Sequence, residues 1–443
     1  MRRNTFLLST AIVAVCYLYT GSAYMSQFYR LLDFYDAGTA DIITTGGNYL
    51  LQAAGMALYG LGLWKRPRFF GRRIVFAALL ATGAVFMAVS QLSHAALTVV
   101  LSGFLFELHI GVYFGFYLAL FARNVPKAHA GLCFGAAYAL GSVGTYLFSL
   151  LGGGAFLVSA SVTSVYLVLA GVTAALVLLA EDIAVAEDGA PASGAPHVVW
   201  LPGVIVLMMV ISVAGSGISY AIPQAPDVNW NLIRAFYALG LILAGWITDR
   251  SRLVGEICAA ASLAYPLVAM ALIGEGVAGT AALAASYAVR GFLTVYYIIA
   301  CTDLGAEENA LLPLSALGLF LARVTEALMT ILLTRWQIPA VVQLITSAAL
   351  FIPLLILFVL METKRYAPQP VSQEQRLALF GETHGLTARE SEVLRYLAEG
   401  LSDDEIGESC HISRSTVRFH VSNLLKKTGS ASRLEVVRLL KKT

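Results

Sequence analysis

Charge is scarce in this chain. Asp, Glu, Lys and Arg make up 13% of its 443 residues, and hydrophobic residues make up 58%. That balance is far from the water-soluble average and indicates an integral membrane protein with room for two or three domains. Cysteine is scarce too. Cys16, Cys133, Cys258, Cys301 and Cys410 stand far apart, which excludes a zinc motif and gives no disulfide framework. Four of them lie in or beside apolar stretches, where a small thiol is ordinary packing material. The sequence also lacks a metal-ligand cluster, a phosphate-binding loop and a nucleophile motif. Neither a metal nor a cofactor is therefore expected, and the chain is not read as an enzyme.

Long apolar runs dominate what is present. A bilayer crossing needs about 20 apolar residues. Twelve such runs occur, approximately at 6–28, 41–64, 74–94, 95–122, 131–153, 155–180, 198–222, 229–248, 254–273, 277–300, 311–334 and 338–361. Arg2-Arg3 ahead of the first run has the look of a signal peptide, but eleven further runs make it an uncleaved first helix. The segment 181–197 is polar and rich in Pro, Gly and Ala. It reads as a cytoplasmic linker dividing six spans at 1–180 from six at 198–362.

Basic residues set the expected orientation. With the N-terminus in the cytoplasm, the inner side carries Arg2, Arg3, Lys65, Arg66, Arg68, Arg72, Arg73, Arg123, Lys127, Arg250, Arg252, Lys364 and Arg365, and the outer loops carry only Arg30 and Arg335. Both termini are then cytoplasmic, in an inner-membrane protein in contact with the lipid bilayer.

This layout resembles the major facilitator superfamily, which has a loop signature Gly-x-x-x-Asp-Arg-x-Gly-Arg after the second span of each half. The second half keeps part of it, Gly245-Trp-Ile-Thr-Asp249-Arg250-Ser-Arg252. The first half keeps the basic cluster Lys65, Arg66, Arg68, Arg72 and Arg73 but has Trp64 where the aspartate belongs.

Ionisable groups inside apolar runs are costly and are candidate sites. They are Glu107 and His109 in the fourth run, Arg234 in the eighth, Arg290 in the tenth, and Arg323 and Glu326 in the eleventh. Arg323 and Glu326 are three apart and share a helix face. Either they form an internal ion pair, or Arg290 or Arg323 meets an anionic small molecule in a central cavity, with Tyr287 or Tyr113 alongside. Gly111/Gly115 and Gly131/Gly135 have the small-residue spacing of close helix packing.

After Met361 the sequence turns polar. Residues 363–381, with Pro368 and Pro370, read as a tether, and 382–443 as a soluble head. Thr387/Glu390, Ser402/Glu405 and Ser432/Glu435 have capping-box spacing, and Ser413 is a further N-cap. They predict four helices at 388–399, 403–410, 414–428 and 433–442, with Gly400 and Gly429 as stops. The apolar sets Val393/Leu394/Leu397, Ile406/Cys410, Val417/Val421/Leu424 and Leu434/Val437/Leu440 give them one shared core. Only His411, Ile412 and Ser413 separate the second helix from the third, the spacing of a helix-turn-helix whose second member enters a major groove. The outward face of that member carries Arg414, Ser415, Arg418, Phe419, Ser422, Asn423 and Lys426. From His411 onward eight basic residues face one acid, Glu435.

This segment resembles the LuxR-type DNA-binding domain. The pattern LTxRExEVLxLxAxGxSxxEIAxxLxISxxTVKxHxxxIxxKLGVxxRxE is met at Leu386, Thr387, Arg389, Glu390, Glu392, Val393, Leu394, Gly400, Ser402, Glu405, Ile406, Ile412, Ser413, Thr416, Val417, His420, Lys427, Gly429, Arg433 and Glu435. The resemblance implies phosphate contacts from Ser413, Thr416 and Lys427 and base contacts from Arg418, Phe419, Ser422 and Asn423. It also implies a homodimer through the fourth helix on an inverted repeat of double-stranded DNA, with RNA polymerase as a further candidate partner. Asp403-Asp404 replaces an Asn-Lys pair usual in the family. The all-α chain is thus expected to be a membrane-embedded one-component regulator whose body senses a small molecule. The alternative is a transporter with a regulatory tail, which substrate uptake would reveal.

Topology can be checked directly. A reporter fused after Arg365 is expected to behave as cytoplasmic and one inserted at Pro223–Asp227 as external. A periplasmic signal from the first fusion would overturn the orientation and the DNA-binding role with it.

Overall fold

The computed structural model describes residues 3–150, 160–183, 199–216, 233, 236–265, 276–365 and 373–442. Among the described residues the secondary structure is helical, without strands. The chain forms two compact units, Met1–Arg365 and Tyr366–Thr443.

In the first unit, helices fall on the twelve apolar runs. They are α1 (Arg3–Leu31), α2 (Tyr49–Lys65), α3 (Arg73–Leu92), α4 (Ala96–Asn124), α5 (Lys127–Leu150), α6 (Ala160–Leu179), α7 (Leu201–Ser216), α8 (Tyr237–Arg250), α9 (Arg252–Ser262), α10 (Gly276–Glu307), α11 (Leu317–Trp336) and α12 (Ala340–Arg365). Among the described residues, eight helical stretches are long and apolar enough to cross a membrane. The others are α2, α7, α8 and α9. A π-helical segment, Ile42–Asn48, leads into α2, and α7, α8 and α9 border residues outside the described set.

Helical backbone is what an apolar solvent demands, because every N–H and C=O must be satisfied within the segment. Hydrophobicity then gives the helices no reason to prefer each other over lipid, so close packing decides who pairs. Small residues permit it. Gly131 and Gly135 of α5 lie against the backbone of Gly245 and Leu241 on α8, and a Cβ on Gly131 would stand 2.6 Å from the Gly245 carbonyl oxygen. Gly111 and Gly115 of α4 face Gln52 and Tyr59 of α2. Both expected pairs of small residues therefore serve packing. The α5–α8 contact joins the two halves on one side, and α2 with α11 joins them on the other. Aromatic rings fill the centre, with Tyr17 stacked on Tyr138 at 3.7 Å and Phe76 on Phe116 at 3.9 Å between centroids.

The second unit contains α13 (Gln373–His384), α14 (Ala388–Glu399), α15 (Asp403–Cys410), α16 (Arg414–Thr428) and α17 (Arg433–Lys442). The last four start and stop where their caps predict. Thr387 and Ser402 complete capping boxes with Glu390 and Glu405. Gly400 and Gly429 end α14 and α16 in the left-handed conformation, with φ of 86° and 67°.

Two expectations change here. The first concerns the stretch taken as tether: α13 begins inside it, and Leu377 and Phe380 are buried in the head's core. Pro368 and Pro370 precede the helix in sequence and lie outside the described residues, so they do not bar helix from Gln373 onward. The second concerns α17, which buries Val436 and Leu440 and leaves Leu434 59% exposed. The buried face is turned from the expected one because Leu440 and Val436 are one helical turn apart, whereas Leu434 lies on another side.

A fragment of residues 373–443 should therefore melt as a cooperative helical domain. One starting at Leu386 loses Leu377 and Phe380 and should be less stable by at least about 3 kcal/mol in urea denaturation. Equal midpoints for the two fragments would remove α13 from the core.

Candidate functional site

The head's turn is built around His411. It caps α15 with φ at 55°, a left-handed conformation that lets the chain reverse within three residues. Ser413 then starts α16, its Oγ accepting the Thr416 N–H at 3.2 Å. Since α16 buries Val417, Val421 and Leu424, its opposite side points outward. Arg414, Ser415, Arg418, Phe419, Ser422 and Lys426 are exposed there, and Thr416 and Asn423 are half-buried at the edges. Phe419 is 61% exposed, an apolar ring with no structural reason to face water. The structure thus brings the ten expected head residues onto one helix and its cap.

Carboxylates meet several of the cations. Asp403, buried at the start of α15, accepts from Arg418 Nε at 3.3 Å and from Arg433 Nη2 at 2.9 Å. Asp404 stands 3.3 Å from Arg414. Lys427 is held by the buried Glu390 at 2.6 Å and by the Gly385 carbonyl at 2.9 Å. Burial pushes the Asp403 carboxyl up, but Arg433 and Arg418 outweigh it and hold the group below its usual range. Burial acts on Glu390 in the same way, and there Lys427 and the Thr387 N–H outweigh it and again lower the group.

The membrane unit holds a second polar group. Glu107, buried on α4, accepts from Gln52 Nε2 on α2 at 2.7 Å. Arg323 on α11 pairs with Glu326 at 2.9 Å and lies over the Tyr49 ring, 3.9 Å from its centroid. Arg323 and Glu326 form the internal pair their spacing allows, and this pair and Glu107 each meet a residue of α2, Tyr49 and Gln52. His109 is not part of this group. Two residues from Glu107, it points away, its Nδ1 2.7 Å from the Leu105 carbonyl and its ring on Phe86. Arg290 faces Tyr287 on its own helix at 5.8 Å, and Arg234 lies outside the described residues.

A third network spans the two halves. Asp249, near the end of α8, accepts the Gly131 and Leu132 N–H groups of α5 at 2.7 and 2.8 Å. Arg252 bonds Asp303 of α10 at 2.8 Å and the Lys127 carbonyl at 2.7 Å, and Lys127 pairs with Glu307. The loop after α2 behaves differently. Gly71 O accepts the Ile183 N–H and Arg73 reaches Asp182, so it docks on the end of α6 in its own half. A cavity of about 60 Å³ beside Arg252, lined by Thr248, Glu256, Tyr296 and Asp303, has room for a few waters rather than a substrate.

Residues 384–440 match the family of bacterial regulatory proteins, luxR family. The head is a LuxR-type helix-turn-helix domain. It is similar to the transcriptional regulatory protein DegU of Brevibacillus brevis, 46% identical over 54 residues, which is 12% of this chain and 23% of that protein. The chain spans about a quarter of the length of the curated relatives it matches. The membrane unit has the major-facilitator fold. A solved major facilitator transporter, FucP in the outward conformation, aligns with a TM-score of 0.55 at 15% identity over 82% of this chain and 98% of its own. The human organic anion transporter MFSD10 gives 0.59 at 16% identity over 80% and 99%.

Within the LuxR-type domain, sequence reasoning missed the carboxylates behind the basic face. Asp403 was visible as a departure from the family pattern, but its partners lie 15 and 30 residues away, beyond any local spacing rule. Glu390 was seen only as a capping residue. In the membrane unit Gln52 and Tyr49 had no signal, being ordinary members of an apolar helix.

The lowered Glu390 and Asp403 carboxyls make the head acid-sensitive. A depressed folded pKa contributes stability above the unfolded value of about 4.3 for Glu and 3.9 for Asp, lost as pH falls through the folded one. Urea midpoints of residues 373–443 should thus fall from pH 5 to pH 2, with a shallower decline in Glu390→Gln. Lys427→Ala, which strands Glu390, should cost about 2 kcal/mol at pH 7. Identical pH profiles for wild type and Glu390→Gln would contradict the assignment.

Proposed function

We propose that this chain is a membrane-embedded one-component transcription regulator. Its major-facilitator body senses a small molecule, and its LuxR-type head binds promoter DNA. The observation that carries this reading is covalent: one polypeptide joins a domain of a bacterial regulatory family to a body with a transporter fold. On this reading the input comes through the membrane body or its assembly state.

On this reading α16 enters the major groove of an inverted repeat. Arg418, Phe419, Ser422 and Asn423 meet base edges, where arginine suits guanine, asparagine adenine and an apolar ring the thymine methyl. Ser413, Thr416 and Lys427 meet phosphates, with Arg414, Ser415 and Lys426 beside them. Lys427 would exchange Glu390 for a phosphate to do so. A homodimer forms through α17, which carries the exposed Leu434, and the bound pair is a candidate contact for RNA polymerase. The protein lies in the inner membrane with both termini in the cytoplasm.

The sensing group is Arg323 with Glu326 and Glu107, beside Tyr49, and an anionic ligand would compete with the carboxylates for the guanidinium. Arg290, beside Tyr287, is the other cation that an anionic ligand could meet. In cells, Arg323→Gln is expected to lower abundance because it strands Glu326, a loss of several kcal/mol when a buried pair is broken. Neutralising both residues should restore abundance while ligand-dependent transcription stays lost. A double variant with normal response would remove Arg323 from sensing, and uptake of a small molecule by the wild type would favour the transporter reading.

A further inference from the structure

Two residues of the head depart from the LuxR pattern together. Arg418 stands where the pattern has lysine, and Asp403 stands where the family usually has asparagine. The fold puts them in contact across the helix-turn-helix, Asp403 Oδ2 3.3 Å from Arg418 Nε. A guanidinium bonded through Nε keeps both terminal nitrogens for another partner, and those two are the pair that read guanine O6 and N7. Arg418 is 63% exposed and Asp403 10%, so the carboxylate is the fixed member and the arginine's far end is open. Asp403 is itself anchored, its Oδ1 taking Arg433 Nη2 of α17 at 2.9 Å. A lysine at 418 has no equivalent of Nε, so the carboxylate would have nothing to orient.

We infer that Asp403 is a positioning residue that sets sequence specificity: it holds Arg418 with its terminal nitrogens aimed outward, preorganised for a guanine. This rests on the reading of α16 as the helix in the groove. Ordering the side chain beforehand removes an entropic cost from binding. The same negative charge near the DNA weakens attraction to any phosphate backbone, so Asp403 favours the right sequence partly by disfavouring all others.

The test uses the full chain in lipid nanodiscs. Its probes are a duplex selected by the wild-type protein from a random 20-base-pair library and the same duplex scrambled. Asp403→Asn is expected to lower the affinity ratio of selected to scrambled duplex at least about fivefold, with binding to the scrambled duplex equal or tighter. Arg418→Lys should lower the ratio similarly, and adding Asp403→Asn to it should change little, since the two act as one unit. An unchanged ratio in Asp403→Asn, or equal weakening on both duplexes, would overturn the inference. So would a full further loss from Asp403→Asn in the Arg418→Lys background. If the melting temperature shows that Asp403→Asn unfolds the head, Asp403→Ser, a good residue at a helix start, is read by the same ratio. Arg418→Ala separates the two levels. A ratio unmoved by Arg418→Ala refutes the groove reading itself, whereas one lowered by Arg418→Ala but unmoved by Asp403→Asn refutes only the positioning role.

Discussion

The membrane unit depends on one contact between its halves, where α5 and α8 meet backbone to backbone at Gly131, Gly135 and Gly245. Side chains there would force the helices apart, and van der Waals attraction between helices in lipid falls away quickly with distance. The closeness also carries a polar consequence. It delivers the Asp249 carboxylate to the amides of Gly131 and Leu132, near the N-terminal end of α5 where the helix dipole favours a negative charge. Arg252, Asp303, Lys127 and Glu307 then extend the bond into a network linking α5, α8, α9 and α10. The first half has Trp64 at the matching point, 72% exposed, and its loop turns to α6 instead. The two halves share a layout but are fastened asymmetrically.

Much of the fold was legible because its determinants are local. Apolar run length and small-residue spacing are read along single helices, and the structure follows them. So do the caps of the head, since a hydroxyl and a carboxylate three residues apart satisfy the same exposed amides wherever they occur. Legibility ended at α13. Its two core residues, Leu377 and Phe380, sit in a polar sequence, and only tertiary packing selects them. The rotation of α17 that exposes Leu434 has the same origin, for five apolar positions on a ten-residue helix leave the buried face open to choice.

The candidate sites divide along the same line. The outward set on α16 follows from helix period once Val417, Val421 and Leu424 are known to face inward. The Arg323–Glu326 pair follows from spacing alone. Glu107 beside Gln52 and the Asp403 and Glu390 carboxylates behind α16 required chain segments 15 to 55 residues apart to meet, Tyr49 beneath Arg323 required opposite halves of the membrane unit, and no rule based on neighbours in sequence contains that information.

The head's ion pairs also bear on how it encounters other molecules. Counted along the sequence, the last third of the head is strongly basic. Folded, Arg414, Arg418, Lys427 and Arg433 each stand beside an aspartate or glutamate from α14 or α15. Three carboxylates thus face four cations, Asp403 serving both Arg418 and Arg433, so beyond the Debye length, about 8 Å in physiological salt, most of their positive charge is offset. The domain's long-range field is correspondingly weaker than the count of basic residues suggests, and less able to steer a polyanion toward it.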